Sequence, residues 1–498
     1  MNLAAAIESH TADAPALVGG WGTMTWGAVR EEAAAWRRGL AELGVDPGDR
    51  VGIVAAASPT FVVAYLAVLG IGAVAVPLNP ASPPAEVAAE LAEVGARVVV
   101  GGPGSQDTLE ALDPTAGVDH VAVPAGLAMP GAAVLGGSAV EGAPPPAVVP
   151  REAGDLAVLI FTSGTAGAPK PAMLTHGNLL ANLDQVRRVP RLALTPEDRC
   201  LGVPPLFHIF GLNMVLGMVL VSGAAVVLIE RFDPGAALAA AADHQVSVVV
   251  ATPGVLEAWA GLGEATARDL ASVRLVVSGA AALPPRVAER FSTRFGVPVW
   301  EGYGLTETSP TVAATPVRGR ARPGSVGAPL PGVEVRVVDR DGSDVLVGDP
   351  GEVWVRGPNV FAGYWGHPEA TARVLDGEGW LHTGDVAVVD EEGGLRIVDR
   401  IKDLIIVSGF NVYPAEVEQV LEDHPGVADA AVIGVADERT GEAVSASVVP
   451  APGAAPTEAD LIAHCARALA SYKCPSQVRV VQALPRGPGG KVVRRLLR

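Results

Sequence analysis

Apolar residues fall along this chain in two rhythms. Short unbroken apolar runs at 51–55 and 73–76 flank a longer apolar stretch at 60–69. An unbroken short run reads as a strand covered on both faces, and the stretch between reads as a helix, which gives the order strand, helix, strand. The same rhythm returns at 90–100, 237–251 and 273–277. Repeated units of this kind predict doubly wound α/β layers with right-handed crossovers. After Pro323 the pattern changes. Residues 333–338, 351–356 and 387–398 alternate apolar and polar positions between Gly and Asp turns, which predicts β-rich structure. The region 101–150 is rich in Gly, Pro and Ala and predicts short elements joined by loops.

The run 212–229 is nearly all apolar and invites comparison with a membrane span. Asn213 and the Ser222-Gly223 pair interrupt it, and 224–229 reads as a short buried strand. A helix, a turn and a strand account for it better than a spanning helix of about 20 residues. At 498 residues the chain is too long for one core, so two or more domains are expected. Aromatic residues are only 4% of the chain, so Val, Leu, Ile and Ala must fill most of the interior. A net charge of −18 argues against nucleic acid or an anionic membrane surface as the main partner. Cys200, Cys465 and Cys474 are odd in number and form no CxxC pair, which predicts a reducing compartment and no structural zinc. The N-terminus has no basic region ahead of an apolar core, and a cytoplasmic protein is expected.

Six segments carry candidate chemistry. Phe161-Thr-Ser-Gly-Thr-Ala-Gly-Ala-Pro-Lys170 follows an apolar run and precedes a helix-like stretch at 176–186. Gly164 and Gly167 let the backbone turn so that several N–H groups point at one anion; Thr162, Ser163 and Thr165 add hydroxyls, and Lys170 adds a positive charge. The segment lacks the Walker A spacing, and taken alone it reads more readily as an ordinary flexible connector. In Glu301-Gly-Tyr-Gly-Leu-Thr-Glu-Thr308, Tyr303 can stack on a base, Gly302 and Gly304 permit close approach, and Thr306 and Glu307 can reach phosphate and metal. Mg2+ prefers carboxylate and phosphate oxygens together, which makes Glu307 the candidate metal ligand. Val276-Val-Ser-Gly-Ala-Ala-Ala-Leu283 ends a strand in small residues, which suits either a flat ring beside the backbone or a tight turn before Pro284-Pro285. Asp385, after the glycine in Trp380-Leu-His-Thr-Gly-Asp385, can accept ribose hydroxyls or simply face solvent. His208 lies between aromatics in Pro204-Pro-Leu-Phe-His-Ile-Phe-Gly211, at the start of an apolar helix, where a packed histidine is the commoner outcome. Lys491 ends the Gly-rich loop Pro485-Arg-Gly-Pro-Gly-Gly-Lys491, from which a lysine can enter a cleft.

Together with Asp399-Arg-Ile-Lys-Asp-Leu-Ile-Ile-Val-Ser-Gly-Phe-Asn-Val-Tyr-Pro-Ala-Glu-Val-Glu418, these segments resemble, in order, those of the adenylate-forming superfamily. That family comprises acyl-CoA synthetases, aryl-CoA ligases, luciferases and peptide-synthetase adenylation domains, and the resemblance covers essentially the whole chain. It implies an adenylation domain at 1–399, a hinge at 400–403 carrying Lys402, and a small mobile C-terminal α/β domain at 404–498. It assigns ATP or AMP to Thr162, Ser163, Gly164, Thr165, Gly167, Lys170, Gly279, Ala280, Ala281, Glu301, Gly302, Tyr303, Gly304, Thr306, Asp385 (ribose), Arg400 and Lys491. Ser408, Gly409, Phe410 and Asn411 are assigned to coenzyme A, His208 to the wall or gate of the carboxylate pocket, and Lys491 to the adenylation step.

Within that resemblance the chain departs at Ala166, where a second threonine is common, at Pro171, where glycine is usual, and at Ile406, where some relatives carry lysine. Residues 207–214 contain no acid, which disfavours an amino-acid substrate. Residues 208–214, 252–256 and 278–283 contain no Arg or Lys, so a second carboxylate has no evident partner. The expected reaction joins a medium- or long-chain fatty acid to coenzyme A through acyl-AMP, with ATP and Mg2+. An aryl-CoA ligase or a carrier-protein acylating ligase is the alternative, and a catalytically weak nucleotide-binding scaffold is the alternative of another class. Small molecules are the expected partners, with no nucleic acid and no membrane segment; a homodimer is left open.

Overall fold

The computed structural model describes all residues except 113–115, 137–145, 163–168, 320, 323, 409, 438, 487–491 and 498, and except the side chain of Lys402. The chain divides into two compact units, Met1–Glu334 with Val355–Leu381 and Val335–Trp354 with His382–Arg498. This division assigns most of a four-stranded sheet to the C-terminal unit, so the units part well before the stretch 400–403.

The first unit is built on two sheets. One has seven strands in the order Ala133–Leu135, His120–Pro124, Val98–Gly101, Arg50–Val54, Val74–Leu78, Leu156–Thr162 and Lys170–Thr175. All neighbours are parallel except the last pair. The other has nine strands, with a parallel core of Val299–Gly304, Leu275–Ser278, Val248–Ala251, Arg199–Gly202, Ala225–Leu228 and Pro15–Gly19. Val74–Leu78, Val248–Ala251 and Leu275–Ser278 are buried at every position, as their continuous apolar runs require. Helix Pro59–Gly70 starts where Ser58 accepts the Phe61 N–H and Pro59 takes the first helical position. Helix Pro285–Phe295 buries Val287, Ala288, Phe291 and Phe295 on one stripe. Full burial of Phe291 contributes roughly 2–3 kcal/mol.

The apolar run at 212–229 resolves as expected into helical turns, a break and a strand. Phe210–Gly217 is a wide π-type helix, Met218–Ser222 continues it, Gly223 turns left-handed, and Ala225–Leu228 is a fully buried strand. Among the described residues no helix is long and apolar enough to cross a membrane.

The second unit begins with the sheet Glu334–Val338, Pro350–Arg356, Leu381–Val389 and Leu395–Arg400. The alternating stretch 387–398 is divided between the strands Leu381–Val389 and Leu395–Arg400. Asp390 accepts from the backbone N–H groups of Glu392 and Gly394, and that turn folds the chain back on itself. The sheet that follows contains Phe410–Val412, Ile405–Val407, Gly441–Pro450, Val427–Asp437 and Gln477–Val480. Helices Pro414–Glu422 and Glu458–Ala468 help close its core around Val417, Leu421, Leu461 and Cys465.

Candidate active site

Ser163, Gly164, Thr165 and Gly167 of the segment 161–170 lie outside the described residues. Its two ends are described. Thr162 closes one strand and Lys170 opens the antiparallel neighbour; they face each other in register, and the Thr162 hydroxyl donates to the Lys170 carbonyl at 3.2 Å. Pro171 follows as the second strand residue, and its carbonyl accepts the Trp365 N–H at 2.8 Å. The proline therefore removes a donor from a strand rather than from the loop. On the same side the Met173 N–H donates to Gly363 and the Ala362 N–H donates to Met173. Residues 361–365 thus run as an extra edge along the Lys170 strand.

That edge reaches Glu307. The strand Val299–Gly304 carries Glu301, Gly302, Tyr303 and Gly304, and a single 3-10 turn, Thr306–Thr308, carries Thr306 and Glu307. The turn packs on the Lys170 strand. The Phe361 N–H donates to the Glu307 carbonyl at 2.9 Å, and the Tyr364 hydroxyl donates to Glu307 Oε1 at 2.6 Å. Burial, then the neighbouring Glu307 carboxylate, holds the Tyr364 phenol well above its usual range, so it stays protonated and donates.

Three buried amides brace this turn from beneath. Asn182 donates to the Thr311 carbonyl at 2.7 Å and accepts the Thr311 N–H at 3.0 Å. Asn359 donates to the Thr308 carbonyl at 3.0 Å, and Gln185 links Asn182 to Asn359. The Ser309–Pro310 peptide in the turn is cis. Gly304 is fixed here by packing, because a Cβ would drive into the Pro310 carbonyl. Sequence reasoning missed Tyr364, Asn182, Gln185 and Asn359. For Asn182 and Gln185 the available signal was polar amides set among the apolar inward positions Leu179, Leu183 and Val186 of the helix His176–Arg187.

Glu301 sits opposite Ser278 in register and is only 8% exposed. Burial pushes its carboxyl up to about 8, while the Gly324 N–H pulls the other way. The strand ending at Ser278 leads to Gly279, whose N–H donates to Ala251 at 3.2 Å. A Cβ on Gly279 would stand 2.8 Å from Phe210 Cζ. Ala280 has φ +68°, a left-handed conformation that costs an alanine roughly 1 kcal/mol, and Ala281 is half-buried beside it. Phe210 begins the π-type helix, and its N–H donates to His208 Nδ1 at 3.2 Å, which fixes that nitrogen as an acceptor. His208 is half-buried. Within this unit the structure therefore links Lys170 to Glu307 through residues 361–365, and Glu301 to Ser278 and Gly279 through strand register.

In the second unit Asp385 is not at the end of a turn. It lies within the strand Leu381–Val389, directly after Gly384 at φ +68°. It is 3% exposed, and Arg400 Nε, its register partner on the next strand, stands 2.8 Å from Asp385 Oδ1. The backbone of Lys402 forms part of a short 3-10 turn, Ile401–Asp403. Ser408 has φ +51°, and its N–H donates to Thr440. Phe410 is exposed and stacks on Tyr472 with ring centroids 4.8 Å apart, and Asn411 accepts from Arg340 at 3.4 Å. Gly409 and Lys491 lie outside the described residues. The residues flanking Lys491 are tied down: Arg486 pairs with Asp429, the Val493 N–H donates to Pro485, and Arg494 forms two bonds to Glu418 and one to Asp403.

The donor set at Glu307 suits magnesium shared with phosphate. Among the described residues no three His, Cys, Asp or Glu side chains form a metal cage. A single carboxylate with one oxygen anchored by a phenol fits a hard ion that takes its remaining ligands from substrate and water.

A family model described as AMP-binding enzyme matches residues 3–365, and one described as AMP-binding enzyme C-terminal domain matches residues 416–491. The chain is 39% identical over 475 residues to a feruloyl-CoA synthase of Amycolatopsis sp, covering 95% of this chain and 92% of that protein. It is 36% identical over 516 residues to a long-chain-fatty-acid–CoA ligase of Yersinia pestis, covering 98% and 92%. ATP-bound MatB from Rhodopseudomonas palustris superposes with a TM-score of 0.91 at 33% identity, over all of this chain and 98% of that one.

Proposed function

Because the chain belongs to the AMP-binding enzyme family and is an AMP-forming acyl-CoA ligase, we propose that its acid is an apolar monocarboxylate, a medium- or long-chain fatty acid in the first instance. The observation that carries this reading is the helix Phe210–Gly217, buried at every position, which we take as the wall of the acyl pocket. Together with 252–256 and 278–283 it presents no cation to a second carboxylate. A charged tail placed there would lose its hydration without a partner. The 39% identity to a feruloyl-CoA synthase favours a second reading, an aryl acid.

A carboxylate does not condense with a thiol, because its oxygen is a poor leaving group. In the proposed first step a carboxylate oxygen attacks the α-phosphorus of ATP, the bond to the β-phosphate oxygen breaks, and pyrophosphate leaves with that electron pair. Lys170, at the mouth of the phosphate loop, and Lys491 stabilise the charge that accumulates on the phosphoryl oxygens. Glu307 and the phosphate oxygens are the groups that would hold Mg2+, whose contribution is to neutralise phosphate charge. Tyr303 and the 279–281 turn flank the base and acyl group, His208 walls the pocket, and Asp385 with Arg400 serves the ribose. In the second step the coenzyme A thiol attacks the acyl carbonyl and AMP leaves. Ser408, Gly409, Phe410 and Asn411 face the thiol in this step, after a rotation about Lys402 in 400–403 that withdraws Lys491. We place the reaction in the cytoplasm.

The test is ATP–pyrophosphate exchange across straight-chain acids of increasing length, cinnamates, benzoates and dicarboxylates, followed by thioester formation with coenzyme A or an acyl-carrier protein. Fatty acids should support the fastest exchange. Faster exchange with cinnamates selects the aryl reading, and AMP formation with none of the acids refutes both.

A further inference from the structure

We propose that Tyr364 is the positioning residue for Glu307, holding one carboxylate oxygen so that the other faces the metal–nucleotide complex. This rests on the reading of Glu307 as the carboxylate that serves that complex. The 2.6 Å separation of Tyr364 Oη and Glu307 Oε1 is that of a short, charge-assisted hydrogen bond. Both groups are anchored at the backbone. The Phe361 N–H holds the Glu307 carbonyl, and the Tyr364 N–H donates to Thr371 Oγ1 at 2.9 Å. The Phe361 ring meets the Tyr364 ring edge-on at 5.0 Å.

The approach of Tyr364 also depends on its neighbour. Gly363 has φ +120°, and a Cβ there would stand 2.6 Å from Thr371 Cγ2, so only glycine lets the chain deliver the ring at this point. Residues 362–365 are bonded to Pro171 and Met173 on the strand that starts at Lys170. A single side chain therefore joins the lysine strand to the acidic turn. A free carboxylate samples many orientations about its last side-chain torsion. One oxygen held by a phenol leaves the second presented in a narrow range of directions.

Tyr364→Phe removes one oxygen atom and leaves the ring packing in place. Calorimetric titration of the full-length enzyme with ATP, in the presence of Mg2+ and separately with EDTA, reads the effect directly. The expected result is Mg–ATP binding weaker by about tenfold, the scale of a hydrogen bond to a charged group, with metal-free ATP binding unchanged. Glu307→Asp, which shortens the side chain out of reach of the phenol while keeping the charge, should reproduce that loss. In the Glu307→Gln background Tyr364→Phe should add less than about twofold, because the two residues act as one unit. Full additivity of the two substitutions, or equal weakening of ATP binding with and without the metal, would overturn the positioning role. If Glu307→Gln alone leaves the Mg2+ dependence intact, the metal reading of Glu307 fails, and this inference fails with it.

Discussion

The two units brace the segments next to their candidate site residues by different means. In the first, Glu307 rests on a turn braced by neutral, buried amides, Asn182, Gln185 and Asn359, each bonded to backbone or to another amide. In the second, the described residues on either side of 487–491 are held by charge: Arg486 meets Asp429, and Arg494 meets Glu418 and Asp403. Amide networks are indifferent to salt and pH across the physiological range. Ion pairs weaken as ionic strength rises and as either partner titrates. The difference suits the proposed division of labour, in which the first unit presents a fixed phosphate and metal site and the chain beyond the proposed hinge at 400–403 changes role between half-reactions.

The largest expected effect tests that division at Lys491. Lys491→Ala should lower acyl-AMP formation by about 10^2–10^3-fold, the scale of removing one stabilising donor from a transition state. Conversion of supplied acyl-AMP to thioester should be retained, and equal loss of both half-reactions would break the comparison.

The next largest effect is one of pH. Burial raises the Glu301 carboxyl to about 8, so the folded chain keeps a proton that the unfolded chain releases near its ordinary carboxylate range. Stability contributed by that proton is complete below the unfolded value and is lost as pH rises to about 8. The slope is at most about 1.4 kcal/mol per pH unit for one proton. Melting curves from pH 5 to 8 should therefore be flatter for Glu301→Gln than for the parent, and parallel curves would show that this group is not buried as described.

Stability measurements on the two networks sharpen the contrast further. Asn359→Ala strips a buried donor from the Thr308 carbonyl and should cost about 2–3 kcal/mol in denaturant unfolding at any salt concentration. Arg494→Met should cost about 2 kcal/mol, between the values for exposed and fully buried pairs, and its penalty should shrink as salt is added. A salt-independent penalty at Arg494 would mean that packing rather than charge anchors the tail. The smallest effect is expected at Gly279→Ala, which places a methyl against Phe210. The KM for the acid should rise a few-fold and the preference move to smaller acids, with the KM for ATP unchanged.

Much of the first unit was legible because continuous apolar runs have one economical placement, as parallel strands covered on both faces. Val248–Ala251 and Leu275–Ser278 fell where the pattern put them. Residues 387–398 were harder. The alternation was visible, but the fold-back at Asp390 depends on one carboxylate capturing two backbone N–H groups, which a hydropathy pattern does not record. Asp385 was marked as chemically significant from its motif, yet its place inside a strand and its pairing with Arg400 follow from sheet register.

Local order alone determined the family motifs, the helix and strand rhythm, and the choice of Lys170 and Glu307 as candidates, because each depends on residues within a few positions of one another. Tertiary structure decided which side chains share an atom-to-atom contact. Tyr364 reaches Glu307 across 57 residues, and Gln185 reaches Asn359 across 174. Contacts of that span arise only when separate strands and turns are packed side by side, and no short-range pattern in the chain encodes which of many polar side chains will meet.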